Sequence, residues 1–531
     1  MEVTNTCGEF FNNTCTLTEL LSDLTRLESK LEDSHFKDLE LGVDTMWQII
    51  AATLVIFMQA GFAMLEAGAI RSKNVRSILL KNVIDFSVGT VAFTTFGYAL
   101  AFGSDETRFF GDDLFFLHRS RDDSPELNHA HFVFMLPFAA TATTIVSGAM
   151  AERTRLNSYL LISFILTGFV TPAVMHWVWS KDGFLATTRN DPLFGTGVVD
   201  FAGSGVIHAT GGMVALIGAY LVGPRHDEKG ALRFSPMCRP RDFIGHNVIF
   251  STLGMFILWF GWYGFNAGSS FYIVGESAVV AARVTVNTTI AAATASVTVY
   301  VFEYFGSNDI ALCLNGVLAG LVSITAPCSV VNAWEAAIIG VVGALVYEAA
   351  SRALVLLEID DPLDASAMHT GCGVWGMISV GLLSEPDMMR DVFGMGDDHY
   401  GVFHGGSGNL LGAQIVGVLV ILLWVLVTCT TMFLCIKLLP GLLGLDPTND
   451  MLRVPLNEEI KGLDVSYHDG DEYPPYLWPL VENLKALRKV QESMAAESSH
   501  IGQFSQMGIA EGNEHDIGPG ADGRAAISPA I

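Results

Sequence analysis

The sequence predicts an all-α polytopic membrane protein on three counts. Hydrophobic residues make up 51% of the 531 positions and charged residues only 16%. Apolar stretches near the ~20 residues that cross a hydrocarbon core follow one another from Met46 to Leu438. Two of these stretches carry a histidine at the same interval after an aspartate, as Asp200…His208 and Asp361…His369. Lipid offers no partner to backbone polar groups, so spans must be helices or barrel strands, and the alternating pattern of barrel strands is absent.

Eleven transmembrane helices are read, over residues 46–69, 82–103, 130–150, 156–179, 199–222, 246–269, 276–301, 309–326, 332–357, 363–384 and 409–438. The two Asp-x7-His segments are the fifth and tenth. A unit with an odd number of spans inserts its copy upside down, so the pattern predicts an inverted 5+5 repeat plus one helix, with both histidines near the midplane.

The ends follow from composition. Residues 1–43 read as a polar extracellular extension, 44–440 as the membrane domain, 441–495 as a cytoplasmic regulatory region with a helix near 475–495, and 496–531 as a disordered tail rich in Gly, Ser, Ala and acidic residues. Leu17, Leu20, Leu24, Leu27 and Leu31 repeat at the spacing of a coiled-coil seam, though one amphipathic helix lying on the outer face explains them as well. Asn12-Asn13-Thr14 is an N-glycosylation acceptor at Asn12, and Cys7 and Cys15 fall where a disulfide is permitted. No cleavable signal peptide is visible, so the first span must direct insertion.

Charge sets the orientation. The loop after the first span carries Arg71, Lys73, Arg76 and Lys81; those after the third and fifth carry Arg153, Arg155, Arg225, Lys229, Arg233, Arg239 and Arg241. The loop after the second is acidic. Basic loops stay inside, which puts the N-terminus outside a cell membrane and the C-terminus in the cytoplasm. A net charge of −26 without a basic stripe argues against nucleic acid as a partner. No nucleophile–base pair, metal-ligand spacing or nucleotide loop stands out, so neither an enzyme nor a cofactor is expected.

A buried ionisable residue in a membrane span is costly and marks a substrate or proton pathway. His208 and His369, as a matched pair, read as two imidazoles sharing a hydrogen bond along a narrow path; either alone would read as packing. Asp200 and Asp361 begin their spans. Capping is favoured for Asp361, which precedes Pro362, while for Asp200 structural hydrogen bonding and cation binding stay open. Phe265 and Ser269 share one face of the sixth span, Phe138 sits in the third, and Trp179 ends the fourth. Aromatic faces attract compact cations, but core packing for the phenylalanines and interfacial anchoring for Trp177 and Trp179 are the plainer accounts.

These residues closely resemble the ammonium transporter (Amt/Mep/Rh) family, nearest in wording to its plant-type branch. The resemblance rests on Gly61-Phe-Ala-Met-Leu-Glu-Ala-Gly68, Ala151-Glu152-Arg153, Asp200…His208, Gly264-Phe265-Asn266-Ala-Gly-Ser269, Asp360-Asp361-Pro362…His369-Gly-Cys and Gly462-Leu-Asp464…His468, and it covers residues 45–470. It implies a homotrimer of eleven-helix subunits, each with its own pore. It implies that Trp179 and Ser269 recruit ammonium, that Phe138 and Phe265 gate the path, and that His208 and His369 form a twin-His pair supported by Asp200 and Asp361. Substrates would be ammonium or ammonia, with methylammonium as an analogue. Relatives are phosphorylated on a tail threonine; Ser466 occupies that place, as a target for a kinase or as an ordinary solvated serine. An ammonium sensor signalling through the tail and a passive Rh-like channel are the alternative readings.

Overall fold

The computed structural model describes residues 17–104, 107–118, 129–236, 243–304, 310–396, 398–443 and 450–468, with Asn483 and Leu487 beyond them. The chain divides after Gly470; the first unit holds every helix named below, and the second runs Asp471–Ile531. Asn12, Cys7 and Cys15 lie outside the described residues, as does the expected helix near 475–495 apart from Asn483 and Leu487.

The helices follow the expected spans in order, with shifts at some of their ends. They are α1 (Leu17–Ala69), α2 (Ser72–Phe102), α3 (His129–Ala149), α4 (Leu156–Trp179), α5 (Ser204–Val222), α6 (Val248–Gly268), α7 (Glu276–Tyr304), α8 (Ile310–Ile324), α9 (Ala333–Leu356), α10 (Ala367–Leu383) and α11 (Asn409–Leu442). Among the described residues nine of these are long and apolar enough to cross a bilayer, and α8 and α10 are shorter apolar helices. Packing repeats with an offset of five: α1 against α3 and α6 against α8, α2 against α4 and α7 against α9, α3 against α5 and α8 against α10. This is the arrangement an internal repeat produces, with α1 and α6 laid along each other where the halves meet.

Several expectations change. The first helix is 53 residues long and runs unbroken through position 44, so the leucine seam lies on the same helix as the first span. The second helix begins at Ser72, ten residues before the expected start at 82. Lys81 is therefore a buried residue inside α2 and not a loop cation, which leaves Arg71, Lys73 and Arg76 to carry the basic bias there. Residues 199–203 are not helical, and α5 starts at Ser204. Trp177 is no interfacial anchor: it is buried against Phe109, Phe184 and Trp424, with its indole N–H donated to the Phe109 carbonyl at 3.0 Å.

One end of the bundle, here the basic end, is locked by buried charge. Glu152 receives the Arg71 guanidinium, Arg225 at 2.5 Å and the Asn74 amide at 2.9 Å. Asp360 receives Arg225 at 2.9 Å, and Arg233 as well. Burial by itself would raise both carboxyls, but Arg225, with Arg71 at Glu152 and Arg153 at Asp360, outweighs it and holds them below their ordinary values. Depressed carboxyl values stabilise the fold above the unfolded carboxylate range near pH 4, and the contribution is lost as pH falls through the folded values.

The tail packs onto the same end. Arg453 donates to the carbonyls of Val222 and Pro224 at 2.7 and 2.6 Å and to Glu459 at 2.8 Å, while Val454 N–H reaches the Arg153 carbonyl at 3.0 Å. Two short helices follow, α12 (Leu456–Lys461) and α13 (Leu463–Tyr467). Asp464 accepts from the backbone N–H groups of Arg76 and Ser77 at 2.9 and 2.8 Å, capping the first turns of α2 from outside it.

Arg225 joins both carboxylates, so Arg225→Ala leaves two buried anions short of a partner. The expected loss is about 3–5 kcal/mol, read as a lower melting temperature in detergent. A variant that melts with the wild type would show that the remaining arginines suffice.

Candidate functional site

The site is organised by two helices that begin inside the bundle. A helix start leaves unpaired N–H groups, which lipid cannot satisfy. At α5 the Asp200 carboxylate fills that need alone: Oδ1 accepts from Gly203 and Ser204 at 2.9 and 2.8 Å, and Oδ2 from Gly205 and Val206 at 2.8 and 2.9 Å. At α10 Asp361 plays a lesser version of this part, accepting from Ser366 N–H and Oγ at 2.7 and 2.6 Å just before the helix and from Leu363 at 3.3 Å. Both aspartates are buried. The question left open for Asp200 thus leans to the structural side, because four donors occupy its two oxygens.

Each helix opens with a π turn, Ser204–Ala209 in α5 and Ala367–Gly371 in α10, and each π turn carries one of the two histidines. The two turns meet because the backbones approach closely. A Cβ on Gly212 would lie 2.3 Å from the Thr370 nitrogen, and one on Gly373 would lie 2.5 Å from the Ser204 carbonyl. Ser204 fixes the crossing from the side, donating to the Val322 carbonyl at 2.8 Å and accepting from Ala326 N–H at 2.7 Å.

His208 and His369 consequently face each other, with ring centroids 5.2 Å apart and planes inclined by 19°. The expectation of a hydrogen bond between them is not met: neither ring nitrogen of His208 has a partner, nor does Nδ1 of His369. The rings stack because Trp262 and Phe265 press on His208 at 5.1 and 5.5 Å, and Trp262 is itself held by a bond to Thr325 Oγ1 at 3.0 Å. Stacking fixes the ring planes while leaving the nitrogens free for a mobile partner.

Phe138 and Phe265 stack at 4.0 Å and 19°, both fully buried, with no room between them for a cation. Above Phe138 opens a vestibule of about 680 Å³ lined also by Trp179, Asp200 and Ser269. The Trp179 ring stands edge-on to Phe138 at 6.1 Å, with its N–H given to the Asp200 carbonyl at 2.7 Å. Ser269 Oγ donates to the Phe265 carbonyl at 2.8 Å, which leaves its lone pairs available. In order along one line, then, come Trp179 and Ser269, the phenylalanine pair, and the histidine pair.

Sequence reading missed the rest of the vestibule. His131 lines it, with Nδ1 3.1 Å from the Tyr98 hydroxyl, and so do Glu276, Arg283 and Asp391. A histidine near a span's end carries no pattern, whereas one in mid-span does. Asp361 and Ser466 lie elsewhere, Asp361 at the start of α10 and Ser466 in α13, where its hydroxyl oxygen is buried without a partner. Among the described residues no group of acidic, histidine or cysteine side chains could hold a metal ion.

A family model described as the Ammonium Transporter Family matches residues 46–473. The chain is 40% identical over 456 residues to putative ammonium transporter 1 member 5 of Arabidopsis thaliana, covering 83% of this chain and 88% of that one. It is 38% identical to ammonium transporter 3 of Dictyostelium discoideum, over 84% of this chain and 97% of that one. Among solved structures, one titled a sensor Amt protein superposes with a TM-score of 0.68 at 32% identity, covering 81% of this chain and all of that one. Mep2 of Saccharomyces cerevisiae superposes with a TM-score of 0.67 at 25% identity, over 78% of this chain and 88% of that one.

Asp200→Asn turns an amide N–H₂ toward two backbone donors. It should cost about 1–3 kcal/mol, seen as a lower melting temperature. A variant with unchanged melting but weakened ammonium dependence would make the carboxylate a ligand and not a cap.

Proposed function

The chain belongs to the ammonium transporter family and moves ammonium across a membrane, and from that premise we propose that it binds NH4+ in the vestibule and conducts it as NH3 and a separate proton. The observation that carries this reading is the sealed phenylalanine pair directly above two hydrogen-bond-competent imidazoles.

Moving a bare monovalent cation into low dielectric has an idealised cost of order 20 kcal/mol. The Trp179 face, the Phe138 ring and the Ser269 hydroxyl recover about 2 kcal/mol or somewhat more when desolvated. That is enough to concentrate NH4+ in the vestibule and not enough to carry it through. Deprotonation removes the charge. NH3 is small and neutral, so it passes when the Phe138 and Phe265 rings swing apart, and the histidine nitrogens can accept and pass on the proton. Asp200 serves by holding α5 and, through its carbonyl, the Trp179 ring.

We infer that the vestibule faces outward, that the basic end and tail are cytoplasmic, and that the subunits form a homotrimer. The orientation is supported by Arg71, Lys73, Arg76, Arg153 and Arg225 all lying at one end. Transport and not catalysis is the activity in this reading. A sensor role is favoured by one feature, the docking of residues 450–468 on the basic end, which could report the state of the pore.

Two experiments test these assignments. His208→Ala in voltage-clamped oocytes should diminish or alter the ammonium-evoked current by tenfold or more, on the scale of a lost proton-transfer group; an unchanged current and selectivity would remove the histidines from the mechanism. Phosphate at Ser466 would add roughly −1.5 to −2 charge next to Asp464 and displace α13. Ser466→Asp should therefore inhibit uptake while Ser466→Ala does not, and equal activity of the two would leave Ser466 without a regulatory role.

A further inference from the structure

A second set of ionisable groups sits in the bundle on the far side of the histidines from the vestibule. Glu66 on α1 and Lys81 and Asp85 on α2 are each at most 6% exposed. Glu66 Oε2 accepts from the Asn82 amide at 2.7 Å and from Ser147 Oγ at 3.1 Å. Lys81 Nζ donates to the Ser147 carbonyl at 3.1 Å and rests 4.2 Å over the Tyr159 ring. Thr144 Oγ1 lies 3.3 Å from Asp85 Oδ2. Both carboxylates lie within the electrostatic reach of the Lys81 ammonium, which touches neither of them directly. In a low-dielectric interior an unbalanced charge is costly, so the set is cheapest when it holds one extra proton.

A second, independent observation links this set to the pore. A cavity of about 20 Å³, room for about one water, is lined by Glu66, Thr144 and His369 together. Glu66 and His369 therefore border the same space.

We propose that Glu66 is the inner proton station of the pore, taking the proton that reaches His369 and returning it to ammonia that has passed the constriction. The proposal rests on the twin-His reading above. In the first step an N–H bond of protonated His369 breaks as an O–H bond forms on Glu66, leaving neutral imidazole. In the second the lone pair of NH3 takes that proton, the O–H bond breaks, and NH4+ departs with Glu66 again a carboxylate. Lys81 keeps the carboxylate from holding its proton too tightly. The other titratable or charged groups facing Glu66 and Lys81 are Asp85 and Tyr159, with His369 across the cavity and Arg153 beyond Lys81.

The test uses the full chain in proteoliposomes, reading ammonium-evoked current together with luminal pH by an enclosed dye. Glu66→Gln keeps the volume and the bond to Asn82 but cannot carry a proton. It should lose current on the order of tenfold or more while luminal alkalinisation grows, because NH3 then arrives without its proton; Glu66→Asp should restore part of the current. Should Glu66→Gln not fold, Lys81→Gln serves: removing the ammonium strengthens the carboxylates' hold on the proton and should shift the pH dependence of the current upward. Unchanged current in Glu66→Gln, a parallel fall of current and alkalinisation, or an unshifted profile in Lys81→Gln would each overturn the proposal. His208→Ala run alongside separates the two readings, since full current there defeats the twin-His relay whatever Glu66 does.

Discussion

The structure depends on two helices that begin in the interior of a membrane protein, where nothing but the protein can satisfy their first N–H groups. Asp200 and Asp361 meet that need, each from a few residues upstream of its helix. A carboxylate suits the place for two reasons. It accepts several bonds at once, and it complements the positive end of the helix dipole. Once α5 and α10 can start at depth, their π turns bring His208 and His369 face to face, and the glycines at 212 and 373 let the backbones close enough for the rings to meet. The repeated Asp-x7-His spacing is the sequence record of that requirement: one residue to start the helix, one to line what the start opens.

The same low dielectric decides what the path can pass. The groups above the phenylalanine pair are suited to a cation, with ring faces and a hydroxyl oxygen that accepts. The groups below it are suited to a neutral molecule and a proton, with both nitrogens of His208 and Nδ1 of His369 unpaired and walls of Trp262 and Phe265. Lower still, Glu66, Lys81 and Asp85 restore ionisable groups where the bundle approaches its basic end. Charge is thus accommodated at both ends and refused in the middle.

Much of this was legible in the sequence because polar residues in apolar spans are conspicuous. His208 and His369 stood out by their neighbours, and Phe265 and Ser269 by helical spacing. Hydropathy could not see that residues 199–203 are non-helical, since Val199, Phe201 and Ala202 are apolar in any conformation. It also misplaced the start of α2. Lys81 looks like the edge of a loop until Glu66 and Tyr159, distant in sequence, are known to surround it. Trp177 and Trp179 are two residues apart and similar in context, yet one is sealed in an aromatic cluster and the other lines the vestibule; the packing of Phe109, Phe184 and Trp424 around Trp177 separates them.

Selectivity follows from the order of the groups more than from any one of them. Potassium is close to ammonium in size and would be drawn to the same ring faces and hydroxyl. It has no proton to surrender, so below Phe138 it would face the full cost of a charge in low dielectric. In the proposed mechanism ammonium escapes that cost by separating into a neutral molecule and a proton, each with its own partners along the path. The vestibule therefore need not discriminate strongly. A pore that rejects by chemistry at its centre can admit weakly at its mouth, which on this proposal allows an ion recruited beside Trp179 and Ser269 to leave as readily as it arrives.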